Sequence, residues 1–131
     1  MKIQKSDLKS QSLFAALNDE ELQQICDAGA IQEYHKGEYL IREGSLNHFL
    51  FYIAKGSVHI KSYGVKIARL SSGSLMGEVS AAGLDSPIAD VIATGDVTAY
   101  KFPIDIINRI ATKNSAFAEH LRNQAMSRIL R

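Results

Sequence analysis

"IQEYHKGEYLIREGSLNHFLFYIAKGSVHIKSYGVKIARLSSGSLMGEV", Ile31 to Val79, is the stretch that decides the fold. Short runs rich in β-branched and aromatic residues are interrupted at Gly37, Gly44, Gly56, Gly64 and Gly73. Val58 and Ile60, then Val65 and Ile67, alternate with polar residues, the mark of strands with one buried face. Lys55-Gly56 and Tyr63-Gly64 suit tight turns between neighbouring strands. Turn signals spaced by about eight to twelve residues predict a sandwich, barrel or jelly roll. "IADVIATGDVTAYKF", Ile88 to Phe102, adds two more strands around Gly95-Asp96.

On either side the period becomes helical. In "LFAALNDEELQQICDAGA", Leu13 to Ala30, Asn18 and Glu21 have capping-box spacing and Gly29 is a stop signal. Leu22, Ile25 and Cys26 share one face of that helix, and "SLFAAL" before it reads as a shorter helical turn. Past the strands, "PIDIINRIA" opens with Pro103 near its first turn. The longer "NSAFAEHLRNQAMSRILR" takes Asn114 or Ser115 as cap, with Phe117, Leu121, Ala125, Met126, Ile129 and Leu130 as its apolar stripe. The order is helices, about eight strands, then helices, with no repeats or linkers.

At 131 residues the chain is one domain's worth, with 46% apolar and 22% charged side chains, ordinary for a globular protein. Fifteen basic and fourteen acidic residues leave a net charge of +1, so no basic stripe argues for nucleic acid. The polar start "MKIQKSDLKS" carries no signal peptide, and "FLFYIA" is far too short to span a membrane. A cytoplasmic protein without a membrane partner is expected. Cys26, the one cysteine, excludes an intramolecular disulfide and cysteine-based metal sites, and reads as a core thiol. His35, His48, His59 and His120 match no metal spacing, so no metal is expected. No nucleophile elbow or carboxylate pair stands out, so the chain reads as no enzyme.

"LFAALNDEELQQI", "YHKGEYLIREG", "FYIAKGSVHI" and "GSLMGEVS" followed by "ADVIATGDVTAYKF" together resemble the cyclic nucleotide-binding domain. That family includes catabolite-activator-type regulators, protein kinase A regulatory subunits and cyclic nucleotide-gated channels. The resemblance runs from about Leu13 to Arg131. It implies a mainly β fold with flanking helices: an eight-stranded β jelly roll over about residues 30–102, N-terminal helices over about 6–29 and C-terminal helices over about 103–131, all in one domain spanning 1–131.

It also implies a ligand site, the phosphate-binding cassette, where a strand, a short helix and a second strand hold the nucleotide. Here Gly77 would let the backbone approach the ligand and Glu78 would accept a hydrogen bond from the ribose 2′-hydroxyl. The amides of about Val79, Ser80 and Ala81 would face the cyclic phosphate at a helix N-terminus, where partial positive charge collects. Where the family places an Arg on the phosphate, this chain has Pro87, followed by Ile88 and Ala89. Proline has neither the charge nor an amide to donate. Asp85 and Asp90 flank the site with negative charge, and Arg42, Arg69 or Lys66 would have to reach in to replace the cation. No cofactor is expected beyond a cyclic nucleotide or another small anionic ligand.

The reading is a non-enzymatic sensor in which ligand shifts the terminal helices, with binding of cyclic AMP or cyclic GMP weakened or lost. The alternative is a degenerate domain that serves protein interaction or dimerisation without nucleotide. A homodimer through the C-terminal helix, seamed by Phe117, Leu121 and Met126, is expected in either case.

Overall fold

The computed structural model describes residues 2–78 and 89–129. Val79, Ser80, Ala81, Asp85, Pro87 and Ile88 lie outside the described residues, as do Met1, Leu130 and Arg131. The chain opens with α1 (Lys5–Leu8), a 3-10 turn (Ser12–Ala16) and α2 (Asp19–Ala28). The strands are β1 (Ala30–Tyr34), β2 (Tyr39–Ile41), β3 (Phe49–Lys55), β4 (Ser57–Ser62), β5 (Val65–Ser71), β6 (Leu75–Met76), β7 (Asp90–Ala93) and β8 (Val97–Pro103). Two helices close it, α3 (Ile104–Lys113) and α4 (Ser115–Ile129). None of the described helices is long and apolar enough to cross a membrane.

The strands make two four-stranded antiparallel sheets in the orders β1-β8-β3-β6 and β2-β7-β4-β5. Among these strands only β4 and β5 follow each other within one sheet; every other step in the chain changes sheet. That is jelly-roll winding. The turn at Tyr63-Gly64 is the hairpin the sequence suggests, with φ 50° and 78° at its two central residues. Lys55-Gly56 is not. It is a corner between the sheets, because β3 and β4 belong to different ones. Glycine is needed there for space, since a Cβ on Gly56 would stand 2.5 Å from the carbonyl oxygen of Asp96.

Strand alternation divides the apolar residues between two cores. Between the sheets lie Tyr34, Ile41, Phe51, Ile53, Val58 and Val97 with their neighbours. The other face of the β1-β8-β3-β6 sheet presents Leu50, Leu75 and Phe102 to the helices, which return Leu13, Phe14, Ile25, Ile107 and Phe117. Each such side chain, fully buried, contributes about 1.5–3 kcal/mol. Cys26 sits in this second core, where burial and then the negative charges of Asp27 and Asp7 push its thiol pKa up.

The caps form as the sequence suggests. Asn18 Oδ1 accepts from the Glu21 amide at 2.8 Å and Glu21 Oε1 accepts from the Asn18 amide at 3.0 Å. Gly29 ends α2, its amide donating to the Ile25 carbonyl. Asn114, not Ser115, caps α4, its Oδ1 accepting from the Phe117 amide at 3.1 Å. The Asn114 amide group also donates to Ala16 O and to Glu21 Oε1, which ties the terminal helix to the N-terminal segment.

The apolar stripe of α4 is spent inside the chain. Phe117 and Leu121 are 0% and 2% exposed, and the Phe117 ring stacks on Phe14 of the 3-10 turn. Met126 stays exposed. A seam of Phe117 and Leu121 with a second copy is therefore corrected: both already pack against their own N-terminal segment.

Candidate ligand-binding site

One end of the sandwich gathers the chain ends that frame the site. The start of β3, the end of β6 and the end of β8 lie there in one sheet, joined by register pairs Phe51–Met76 and Phe49–Pro103. The end of β2, the start of β7 and the β4–β5 hairpin meet in the other sheet, through the pairs Ile41–Val91 and Lys61–Asp90. The cassette segment connects these two groups of strands, leaving β6 at Gly77 and entering β7 at Asp90.

Gly77 has φ 96°, and a Cβ there would stand 2.6 Å from the carbonyl oxygen of Phe49 and 3.1 Å from Asn47 Nδ2. Its first duty is thus to let β6 turn off against the start of β3. Asn47 holds that start, donating to Phe49 O at 2.7 Å and accepting from the Phe49 amide at 3.2 Å. Glu78 follows with only 3% of its surface exposed. Among the described residues it is the one buried charged side chain. Burying a carboxylate is costly unless it is held by polar partners. Ala89, where the described residues resume before β7, is half-buried.

Asp90 is committed to the frame. Its Oδ1 accepts from the Glu43 amide at 2.8 Å, while the Glu43 carboxylate accepts from Ser62 Oγ at 3.2 Å and the Tyr63 amide at 3.1 Å. These bonds pin the β2–β3 loop and the β4–β5 hairpin to the start of β7. Of the two carboxylates expected beside the ligand, Asp90 is thus engaged within the frame, and Asp85 lies outside the described residues.

The three candidate replacement cations point away. Val91 and Ala93 of β7 are buried between the sheets, so Ile92 and its partner Tyr39 face outward, and Arg42 lies over the Tyr39 ring at 3.9 Å. Val58 and Ile60 face the core, so His59 and Lys61 face outward with their partners Arg69 and Lys66. Arg69 donates to Ser57 Oγ at 3.1 Å. The sequence reading passed over Lys101. It shares the inward row of its sheet with Val97, Ala99 and Phe51, and its Nζ stands 4.5 Å from the ring centre of Phe49. The signal was present, since Lys101 continues the inward alternation of Val97 and Ala99.

Among the described residues no three of His, Cys, Asp and Glu converge on a metal site, and His35 pairs instead with Asp96 at 3.3 Å.

This frame of two jelly-roll sheets has counterparts among known proteins. The family profile described as cyclic nucleotide-binding domain matches residues 31–114. The chain belongs to the cyclic nucleotide-binding domain family. Among its relatives, Glutaminase 1 of Bradyrhizobium diazoefficiens is 28% identical over 92% of this chain and 20% of its own length. Human cGMP-dependent protein kinase 2 is 33% identical over 66% of this chain and 12% of its own. The chain thus spans a fifth or less of these relatives. A cyclic nucleotide-binding protein of Geobacter metallireducens, described as putative, has the same fold, with a TM-score of 0.82, 20% identity and coverage of 98% and 96% of the two chains. The family of cyclic nucleotide-binding domains is one of regulatory and sensor modules.

Proposed function

We propose that this domain is a non-enzymatic, cytoplasmic sensor that takes a cyclic nucleotide at the Gly77–Glu78 end of the sandwich, weakly because its cassette lacks the phosphate Arg. The observation that carries this reading is the burial of Glu78 beside the left-handed Gly77. A carboxylate kept out of water at a strand end suits a hydroxyl donor such as a ribose 2′-OH, which gains most where water does not compete.

The missing Arg sets the scale. Losing one partner of a buried charged pair costs about 2–5 kcal/mol. A site that would otherwise have a Kd of ~1 µM then falls to roughly 30 µM to several mM. Helix-end amides at the cassette would return about 0.3–2 kcal/mol of this. Ligand would act by favouring one arrangement of the terminal helices through differential contact. The bonds of Asn114 to Ala16 and Glu21 are the ones such a shift has to strain.

The replacement of the phosphate Arg by Pro87 favours one other reading, a domain that works through protein contacts without nucleotide. In that reading self-association through α4 would use Met126 and the polar face of the helix, since Phe117 and Leu121 are occupied.

The experiment is calorimetric titration of the wild type and Glu78→Gln with cyclic AMP and with 2′-deoxy cyclic AMP. The variant loses about 1–3 kcal/mol towards cyclic AMP and little towards the deoxy analogue. Equal losses for both ligands, or none, would remove Glu78 from the ribose.

A further inference from the structure

We infer that Lys101 is the cation that faces the anionic group of the ligand, reaching it from the inner face of the β1-β8-β3-β6 sheet. The inference rests on the proposed ligand reading and deepens it by naming the residue that meets the charge.

Ala30, Lys101, Phe51 and Met76 form one rung across four neighbouring strands, through the pairs Ala30–Lys101, Phe51–Lys101 and Phe51–Met76. Neighbouring strands lie about 4.8 Å apart, so the Lys101 Cα is about 10 Å from that of Met76. All of these side chains point between the sheets, the face on which Tyr34, Phe51, Ile53, Val97 and Ala99 are buried. Every other rung on that face is apolar or neutral among the described residues. Lys101 alone brings a charge to it.

The ammonium does not lie down among the apolar residues. It turns one rung towards the open end, over Phe49, whose carbonyl oxygen is the atom that Gly77 packs against. The side chain is half-buried, and among the described residues no carboxylate pairs with it. Its only described partner is an aromatic face, a weak and easily supplemented one. A cation so placed, beside the strand end that Gly77 leaves, is complementary to a singly charged phosphodiester bound at that end of the sheet. It remains a point charge on a flexible stem, without the fork of an Arg. Binding is therefore supported but not restored to the strength an Arg gives.

The test uses Lys101→Met, which keeps the stem over Phe49 and removes the charge, and Lys101→Arg, which keeps it. Cyclic AMP and adenosine are titrated into each, with thermal melting as the check on fold. Lys101→Met should weaken cyclic AMP on the order of ten- to a hundredfold and leave adenosine unchanged. Lys101→Arg should bind cyclic AMP at least as well as the wild type. In parallel, the Lys101 Nζ resonance is followed by NMR as cyclic AMP and then inorganic phosphate are added. It should shift with both. Binding of cyclic AMP that Lys101→Met leaves intact would overturn the role of Lys101 while the ligand reading stands. A Nζ shift with phosphate, without cyclic nucleotide binding, would support Lys101 as an anion contact and contradict the nucleotide. No binding of either ligand and no shift would contradict both.

Discussion

A Cβ on Gly77 would lie 2.6 Å from the carbonyl oxygen of Phe49, so the residue that opens the cassette is fixed by the strand it turns away from. Gly77→Ala meets two obstacles, this backbone atom and a φ of 96°. The cost is at least the ~1–3 kcal/mol of a residue forced into a sparsely populated conformation. Denaturant unfolding should show that loss, with ligand affinity falling too because Glu78 is displaced. A variant as stable as the wild type would mean that the strand end can relax away from Phe49.

Leu121→Asp tests where the stripe of α4 goes. Leu121 is 2% exposed and packs with Phe14 and Phe117 in the helix-side core. An Asp there buries a charge without a partner, so the domain should lose several kcal/mol and melt early or fail to fold. A folded, stable monomer obtained from a wild-type dimer would instead return the residue to a seam between copies.

Much of the frame was legible because its signals are local. Asn18 and Glu21 cap each other at short range, and Tyr63-Gly64 adopts the left-handed pair of angles that a two-residue hairpin needs. Lys55-Gly56 carries a similar turn signal, yet it joins strands of different sheets. A dipeptide cannot say which sheet the next strand enters. The stripe of α4 was likewise visible, but its partner, Phe14, lies about a hundred residues earlier. Glu78 and Gly77 were nominated from resemblance, and the burial of Glu78 is something the sequence alone could not say. Arg42, Arg69 and Lys66, expected to reach in from neighbouring strands, turn out to face outward, and Lys101 faces inward instead. Strand parity, Val97–Ala99–Lys101, carried that information.

The outer face of the β4–β5 hairpin sets Lys61 against Lys66, like charges, and His59 against Arg69. Desolvation on the sheet lowers the His59 pKa below the ordinary 6.5, and the charges of Lys66, Arg69 and Lys61 lower it further. The unfolded chain then binds the proton more readily than the folded one. Stability from this group is complete above the unfolded value and is lost as pH falls below it towards the folded one. Lys66→Glu replaces a repulsive cross-strand pair with an attractive one and should add a few tenths to about 1 kcal/mol at neutral pH. It should also flatten the decline below pH 6.5. Thermal melts of both proteins across that range give the answer, and a variant no more stable than the wild type would mean that the Lys61–Lys66 repulsion is already screened.

The most direct measurement is calorimetric titration of cyclic AMP into the wild type and into Pro87→Arg. The wild type should bind with a Kd of roughly 30 µM to several mM, and Pro87→Arg should tighten this on the order of tenfold or more. A wild-type Kd well below ~10 µM that Pro87→Arg does not improve, or no binding by either protein at millimolar ligand, would contradict the account.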